Sequence, residues 1–120
     1  MNFLSRLIKN RTPESLSKEA YWKKYKFFEL LKDLHLAEEL LAGFTGGYSE
    51  NFLSAENFHK ALEDEIDRIE FGNEIDLSRL YLWFAPSSVW DDFTGESGQD
   101  LGNRIFERLA HWHQSQNESA

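Results

Sequence analysis

"IDLSRLYLWFAP" (Ile75–Pro86) decides the fold class of this chain. It is an almost continuous apolar run, and such a run reads two ways. As a helix it has Asp76 for a cap, turns Leu77, Leu80, Tyr81 and Phe84 inward, and ends at Pro86, since the residue before a proline is driven out of helical geometry. As a buried strand it would place one short β element near residues 79–84. The helix is the preferred reading because the sequence on both sides is helical, and the strand remains the alternative.

Upstream, "SAENFHKALEDEIDRIEFG" (Ser54–Gly72) carries a plain helical signal. Ser54 is placed as its N-cap, and Ala55, Phe58, Leu62, Ile66 and Ile69 recur at spacings of 3, 4, 4 and 3. The other face holds Glu56, Glu63, Asp64, Glu65, Asp67 and Glu70, opposed only by Lys60 and Arg68, and Gly72-Asn73 closes the helix. "GFTGGYSEN" (Gly43–Asn51) reads as loop. Before it, Thr12 caps and Pro13 opens a helix in which Phe27, Leu31, Leu34 and Leu41 form one stripe and Tyr21, Tyr25 and Phe28 a neighbouring one. The run is long for a single helix, so a break near Asp33–Leu36 is expected, with Gly43 ending it.

Downstream lies "WFAPSSVWDDFTGESGQDLGNRIF" (Trp83–Phe106). Ser87 or Ser88 starts a short helical turn through Val89–Phe93, stopped by Gly95. Ser97 and Asp100 resemble a capping box for a last helix whose apolar face is Leu101, Ile105, Leu109 and Trp112. The expected architecture is all-α: a compact single-domain bundle of about five to six helices over residues 1–114, with "SQNESA" (115–120) as a frayed tail.

With 120 residues the chain can bury about two thirds of the surface that its unfolded form exposes. Its 41% hydrophobic and 15% aromatic content argues against disorder. The absence of Cys excludes disulfides and thiolate metal sites and suits a reducing compartment. "MNFLSRLIKNR" contains no apolar run long enough for a signal-peptide core, and no segment approaches a membrane span, so a cytoplasmic location is expected. The net charge of −8 is unevenly spread: residues 1–32 hold eight Lys/Arg against three Glu, the remainder five against eighteen acidic residues. The acidic part repels nucleic acid and attracts a basic surface.

Catalytic and metal signatures are not expected. His111 and His113 stand about 200° apart on a helix. His35 and His59 lack a partner at a recognised ligand spacing such as H-E-x-x-H, so neither metal nor cofactor is assigned. No Ser lies in a G-x-S-x-G elbow, and "GFTGG" lacks the G-K-[ST] of a phosphate loop. Glu63, Asp64 and Asp67 fall on a solvated face rather than in the cleft that acid–base chemistry needs. Phe3, Leu4, Leu7 and Ile8 with Arg6, Lys9 and Arg11 form a short basic amphipathic segment, read as a helix packed on the core rather than a stable membrane anchor. In the Trp83–Phe106 stretch, Trp83, Phe84 and Phe106 are assigned to the core. Trp90-Asp91-Asp92 lies between turn signals, where the acids either complement a helix dipole or join Trp90 in an exposed acidic-aromatic patch.

The acidic, Cys-free, helical character, with "YLWFAPSSVWDDFTGESGQDLGNRIF" (Tyr81–Phe106) near its end, resembles the immunity proteins of bacterial contact-dependent growth inhibition and related polymorphic toxin systems. That resemblance implies a non-enzymatic protein that binds a cognate toxin domain, often a nuclease, and covers its active site or substrate groove. The residues read here as partner-binding are Glu63, Asp64, Asp67 and Glu70 on the acidic helix face, and Trp90, Asp91 and Asp92 in the turn. The competing expectation is a small enzyme or regulator with a small-molecule pocket lined by the Trp83–Phe93 aromatics.

Overall fold

A computed structural model of the chain describes residues 26–72 and 76–119, with side chains to residue 116. The Thr12-Pro13 start, the amphipathic segment 1–11, the Tyr21/Tyr25 stripe and Asn73 lie outside the described residues. The described elements are α1 (Phe27–Leu41), α2 (Ala55–Phe71), α3 (Ser78–Phe84), α4 (Val89–Thr94), a single 3₁₀ turn (Gly95–Gly98) and α5 (Gln99–Ser119). The architecture is all-α, and the described residues hold no strand, only an isolated bridge between Ser49 and Phe52.

The ambiguous run is helix. Leu77, Leu80 and Phe84 are buried at spacings of 3 and 4, the helical period, and Asp76 Oδ1 accepts from the Ser78 backbone N–H at 3.1 Å and from its hydroxyl at 2.5 Å. Ala85, before Pro86, leaves the helix for the extended region. The strand near 79–84 is therefore overturned. In α2 the Ser54 hydroxyl accepts from the Asn57 N–H at 3.1 Å, and Ala55, Phe58, Leu62, Ile66 and Ile69 are all buried.

Two local expectations fail for identifiable reasons. α1 runs unbroken through Asp33–Leu36, because Asp33 lies on its buried face with its charge met by arginines of α5, and a paired carboxylate gives the chain no reason to turn. Ser97 sits inside the 3₁₀ turn rather than at a cap, since that turn leads directly into α5 at Gln99. α5 is helical from Gln99 to Ser119.

α1 packs on α2 and α5, while α3 packs on α4 and α5. Leu30, Leu34, Phe58, Leu62, Leu80, Trp90, Ile105 and Leu109 fill the shared core. Phe84 is buried as expected; Trp83 and Phe106 are half-buried and rest against the core. The Trp90 indole is fully enclosed, with its Nε1–H donating to the Gly98 carbonyl at 2.8 Å. Two glycines make room for the ring. A Cβ on Gly98 would meet Trp90 Cζ2 at 2.8 Å, and one on Gly102 would meet Cδ1 at 2.5 Å. The 3₁₀ turn and the first turn of α5 can close on the indole only without side chains there.

Candidate functional site

The seven candidate residues separate into two places with different fates. In α4, Trp90 is core rather than surface, so the exposed acidic-aromatic patch expected there does not form. The burial is dictated by the glycine cradle and by the Phe84 ring, whose centroid lies 5.0 Å away. The two acids beside it have structural partners. Asp91 Oδ2 accepts from the Ser87 N–H at 2.7 Å, steadying a non-glycine residue at φ 61° immediately before the helix. Asp92 Oδ2 accepts from the buried Ser49 hydroxyl at 2.5 Å, tying the glycine-rich loop to α4.

The α2 face keeps its candidates together. Glu56, Lys60, Glu63, Asp67 and Glu70 recur at spacings of 4, 3, 4 and 3, which places them in one stripe turned away from the Phe58–Ile69 core face. Asp64 lies at the edge of the stripe and is exposed, as are Asp67 and Glu70, while Glu63 is half-exposed. Lys60 lies 3.1 Å from Asp64, and the hydrogen bond to that carboxylate raises its ammonium above the ordinary lysine value. Phe71 follows Asp67 by four residues and Asp64 by seven, so it shares their side of the helix, and it is 78% exposed. The acidic-aromatic combination expected at Trp90 is thus found at the end of α2. Its signal was in the sequence, because Phe71 falls outside the 3-4 rhythm of the α2 core positions.

Glu65, read as part of the solvated face, is 3% exposed. It sits between Arg68 Nη2 at 2.5 Å and Arg79 Nη1 at 3.3 Å, linking α2 to α3. Arg68 also donates to the Asp76 carbonyl at 2.6 Å. The hydrogen bond that Arg68 donates to Glu65 holds its guanidinium above the ordinary arginine value. This is a structural ion pair and takes no part in the outer stripe.

Along the α1–α2 seam, two histidines meet carboxylates of the facing helix. His59 Nε2 donates to Glu38 Oε1 at 2.7 Å, and His35 Nε2 to Glu70 Oε1 at 3.0 Å. The other ring nitrogen of His59 lies 3.9 Å from Glu63 Oε1. Beside them is a shallow depression of about 210 Å³, lined among others by His35, Glu38, Glu63, Asp64 and Asp67. His59 and Glu63 are four residues apart, a spacing that places both on one helix face and that the H-E-x-x-H pattern does not capture. Glu38 was invisible in sequence because the pairing of α1 with α2 brings it there.

The aromatics near Trp83 close on one another. Phe58 packs edge-on against Trp83 at 5.4 Å and stacks on Phe93 at 5.7 Å, and Phe52 meets both Phe58 and Trp83. Trp83 and Phe93 are among the aromatics that the small-molecule reading assigned to a pocket lining. Among the described residues no helix is long and apolar enough to cross a membrane.

No family model, curated protein or solved structure matches this chain.

Proposed function

We propose that the chain is an inhibitory binding protein, of the immunity-protein kind, that sets the outer face of α2 against a basic surface on a cognate toxin domain. A nuclease domain fits best, because it must present basic residues to phosphate and so attracts an acidic inhibitor to the same groove. The observation that carries this reading is the stripe of Glu63, Asp64, Asp67 and Glu70 ending in the exposed ring of Phe71. The stripe supplies long-range attraction, and an aromatic desolvated at the centre of an interface supplies slow dissociation. α2 suits the task because its opposite face is fully committed to the core, so the stripe is presented on a rigid element.

The test is affinity capture of partners from the native cells at low and then high salt, followed by kinetics with the purified partner. A basic toxin domain silenced by equimolar chain is expected. Asp64→Lys with Asp67→Lys should slow its association at least tenfold at low salt, and Phe71→Ala should speed its release. Unchanged kinetics in both variants would overturn the assignment of this face.

A further inference from the structure

We propose that Glu38, His59 and Glu63 form a binding site for one first-row divalent cation of the zinc class at the α1–α2 seam. The three residues offer one imidazole nitrogen and two carboxylate oxygens that all lie within 4.8 Å of one another. Atoms bonded to one tetrahedral metal at about 2.0–2.2 Å stand about 3.3–3.6 Å apart, so closure asks side-chain rotations to draw the widest pair in by roughly 1–1.5 Å. The backbone need not move. His59 and Glu63 are fixed one turn apart on α2, and Glu38 is delivered by the packed partner helix.

The chemistry of the set points the same way. Two carboxylates balance the charge of a divalent ion, and the imidazole selects zinc-like ions over magnesium and calcium, which prefer oxygen-only shells. His59 and Glu38 are about three quarters buried, enough to shield the site from bulk water, whereas Glu63 is half-exposed and opens on the depression beside Asp64 and Asp67. That opening gives an entry path and room for water in the remaining coordination positions. On binding, the metal takes the place of the proton between His59 Nε2 and Glu38, and the neutral imidazole carries that proton on Nδ1 instead. The site shares Glu63 with the outer stripe and opens beside Asp64 and Asp67, but the inference is argued from the α1–α2 seam and does not rest on the partner proposed for the outer face.

The experiment uses the full chain stripped with chelator and then titrated with zinc against a chromophoric competitor. One zinc per chain is expected, with a higher unfolding midpoint. His59→Gln, Glu38→Gln and Glu63→Gln should each weaken binding by at least about tenfold. Replacing His111 and His113 together by Gln should leave it unchanged, and magnesium at equal concentration should not compete. X-ray absorption at the zinc edge of the unmodified chain should show a single imidazole among oxygen ligands. This readout does not depend on any variant folding. Absence of stoichiometric binding, equal affinity in the His59→Gln chain, or loss only in the His111/His113 variant would each overturn the proposal.

Discussion

Asp33 of α1 meets Arg104 of α5 in a two-bond fork, with Oδ2 to Nε at 3.0 Å and Oδ1 to Nη2 at 3.1 Å, across 71 residues of sequence. Arg108, one turn further along α5, closes on the same carboxylate. Asp33 is 5% exposed, while Arg104 keeps about half of its side chain in water. The arrangement satisfies a buried acid with two cations that are only partly desolvated, which keeps the cost of burial low. Removing the acid should therefore cost less than breaking a wholly buried pair. Asp33→Asn is expected to destabilise by about 1–3 kcal/mol in urea unfolding, since both guanidiniums can turn towards solvent. Arg104→Gln should cost less, because Arg108 still holds the carboxylate.

The same cluster sets a pH dependence. Burial by itself pushes the Asp33 carboxyl up, but the hydrogen bonds and charges of Arg104 and Arg108 outweigh it and hold the group below the ordinary aspartate value. A folded-state value lower than the unfolded one gives stability that is fully present above the unfolded value of about 3.9 and is lost as pH falls through the folded value. The stability difference between the unmodified chain and Asp33→Asn should stay flat from pH 7 to about 5 and shrink below about pH 4. Thermal unfolding of both proteins at stepped pH gives this directly. A gap that widened on acidification would have the wrong sign.

The Trp90 cradle makes a prediction opposite in sign to helix propensity. In an exposed helix interior, Gly→Ala stabilises by about 1 kcal/mol. At Gly102 the new methyl would press on the indole, which is enclosed and cannot retreat without moving Phe84 or the 3₁₀ turn. Gly102→Ala is expected to destabilise by about 1–3 kcal/mol net, and Trp90→Phe by a similar amount through the lost bond to Gly98 and the void left behind. In the double variant Gly102→Ala/Trp90→Phe the costs should fall short of additive, because the smaller ring leaves room for the methyl. Chemical unfolding of the four proteins checks the cycle.

What could be read from the sequence follows from where each signal is stored. The helix class, the Ser54 cap and the buried face of α2 are local periodicities, and the structure reproduces them residue by residue. Trp90 was misplaced because its surroundings looked like a surface turn: polar and glycine residues flank it, yet the glycines are there to admit the ring. Glu65 was misplaced because a helix wheel shows acids on one side but cannot show Arg79 arriving from α3. The break near Asp33–Leu36 was expected from the length of the run alone, and the partners that hold Asp33 within an unbroken helix lie more than seventy residues away. For Glu65 and Asp33 the deciding contact is polar and comes from another helix, the kind of information that a single sequence carries least.

The Ser49–Asp92 bond ties the loop between α1 and α2 to α4. Ser49 is buried and its backbone pairs with Phe52, which fixes the loop at this point in addition to the bonds that hold Gly46 to the start of α2. Ser49→Ala removes the donor and leaves Asp92 free to solvate, an expected loss of about 1 kcal/mol. The local effect should be larger than the global one. Amide exchange at Ser49 and Phe52 should accelerate at least tenfold while core amides of α2 change only with global stability. Uniform acceleration throughout the chain would mean that the bond does not act locally.

Asp64 and Glu65 are sequence neighbours with opposite roles, and this separates binding from folding. Asp64 is exposed and its neighbour Lys60 is equally wet, so the pair is screened and contributes little to the fold. Asp67 is exposed on the same stripe. Asp64→Lys and Asp67→Lys should leave the unfolding midpoint within about 2 °C. Glu65→Lys places a buried cation between Arg68 and Arg79, with only the more exposed Asp76 left as an anion near them, and should cost several kcal/mol or prevent folding. Glu65→Gln keeps the shape and should be intermediate. If the outer face binds a basic partner, the two exposed reversals lose association while keeping the fold, and Glu65→Gln keeps association while losing stability. A result in which stability and association fall together at Asp64 and Asp67 would move these residues into the structural class and leave the outer face of α2 without a binding role.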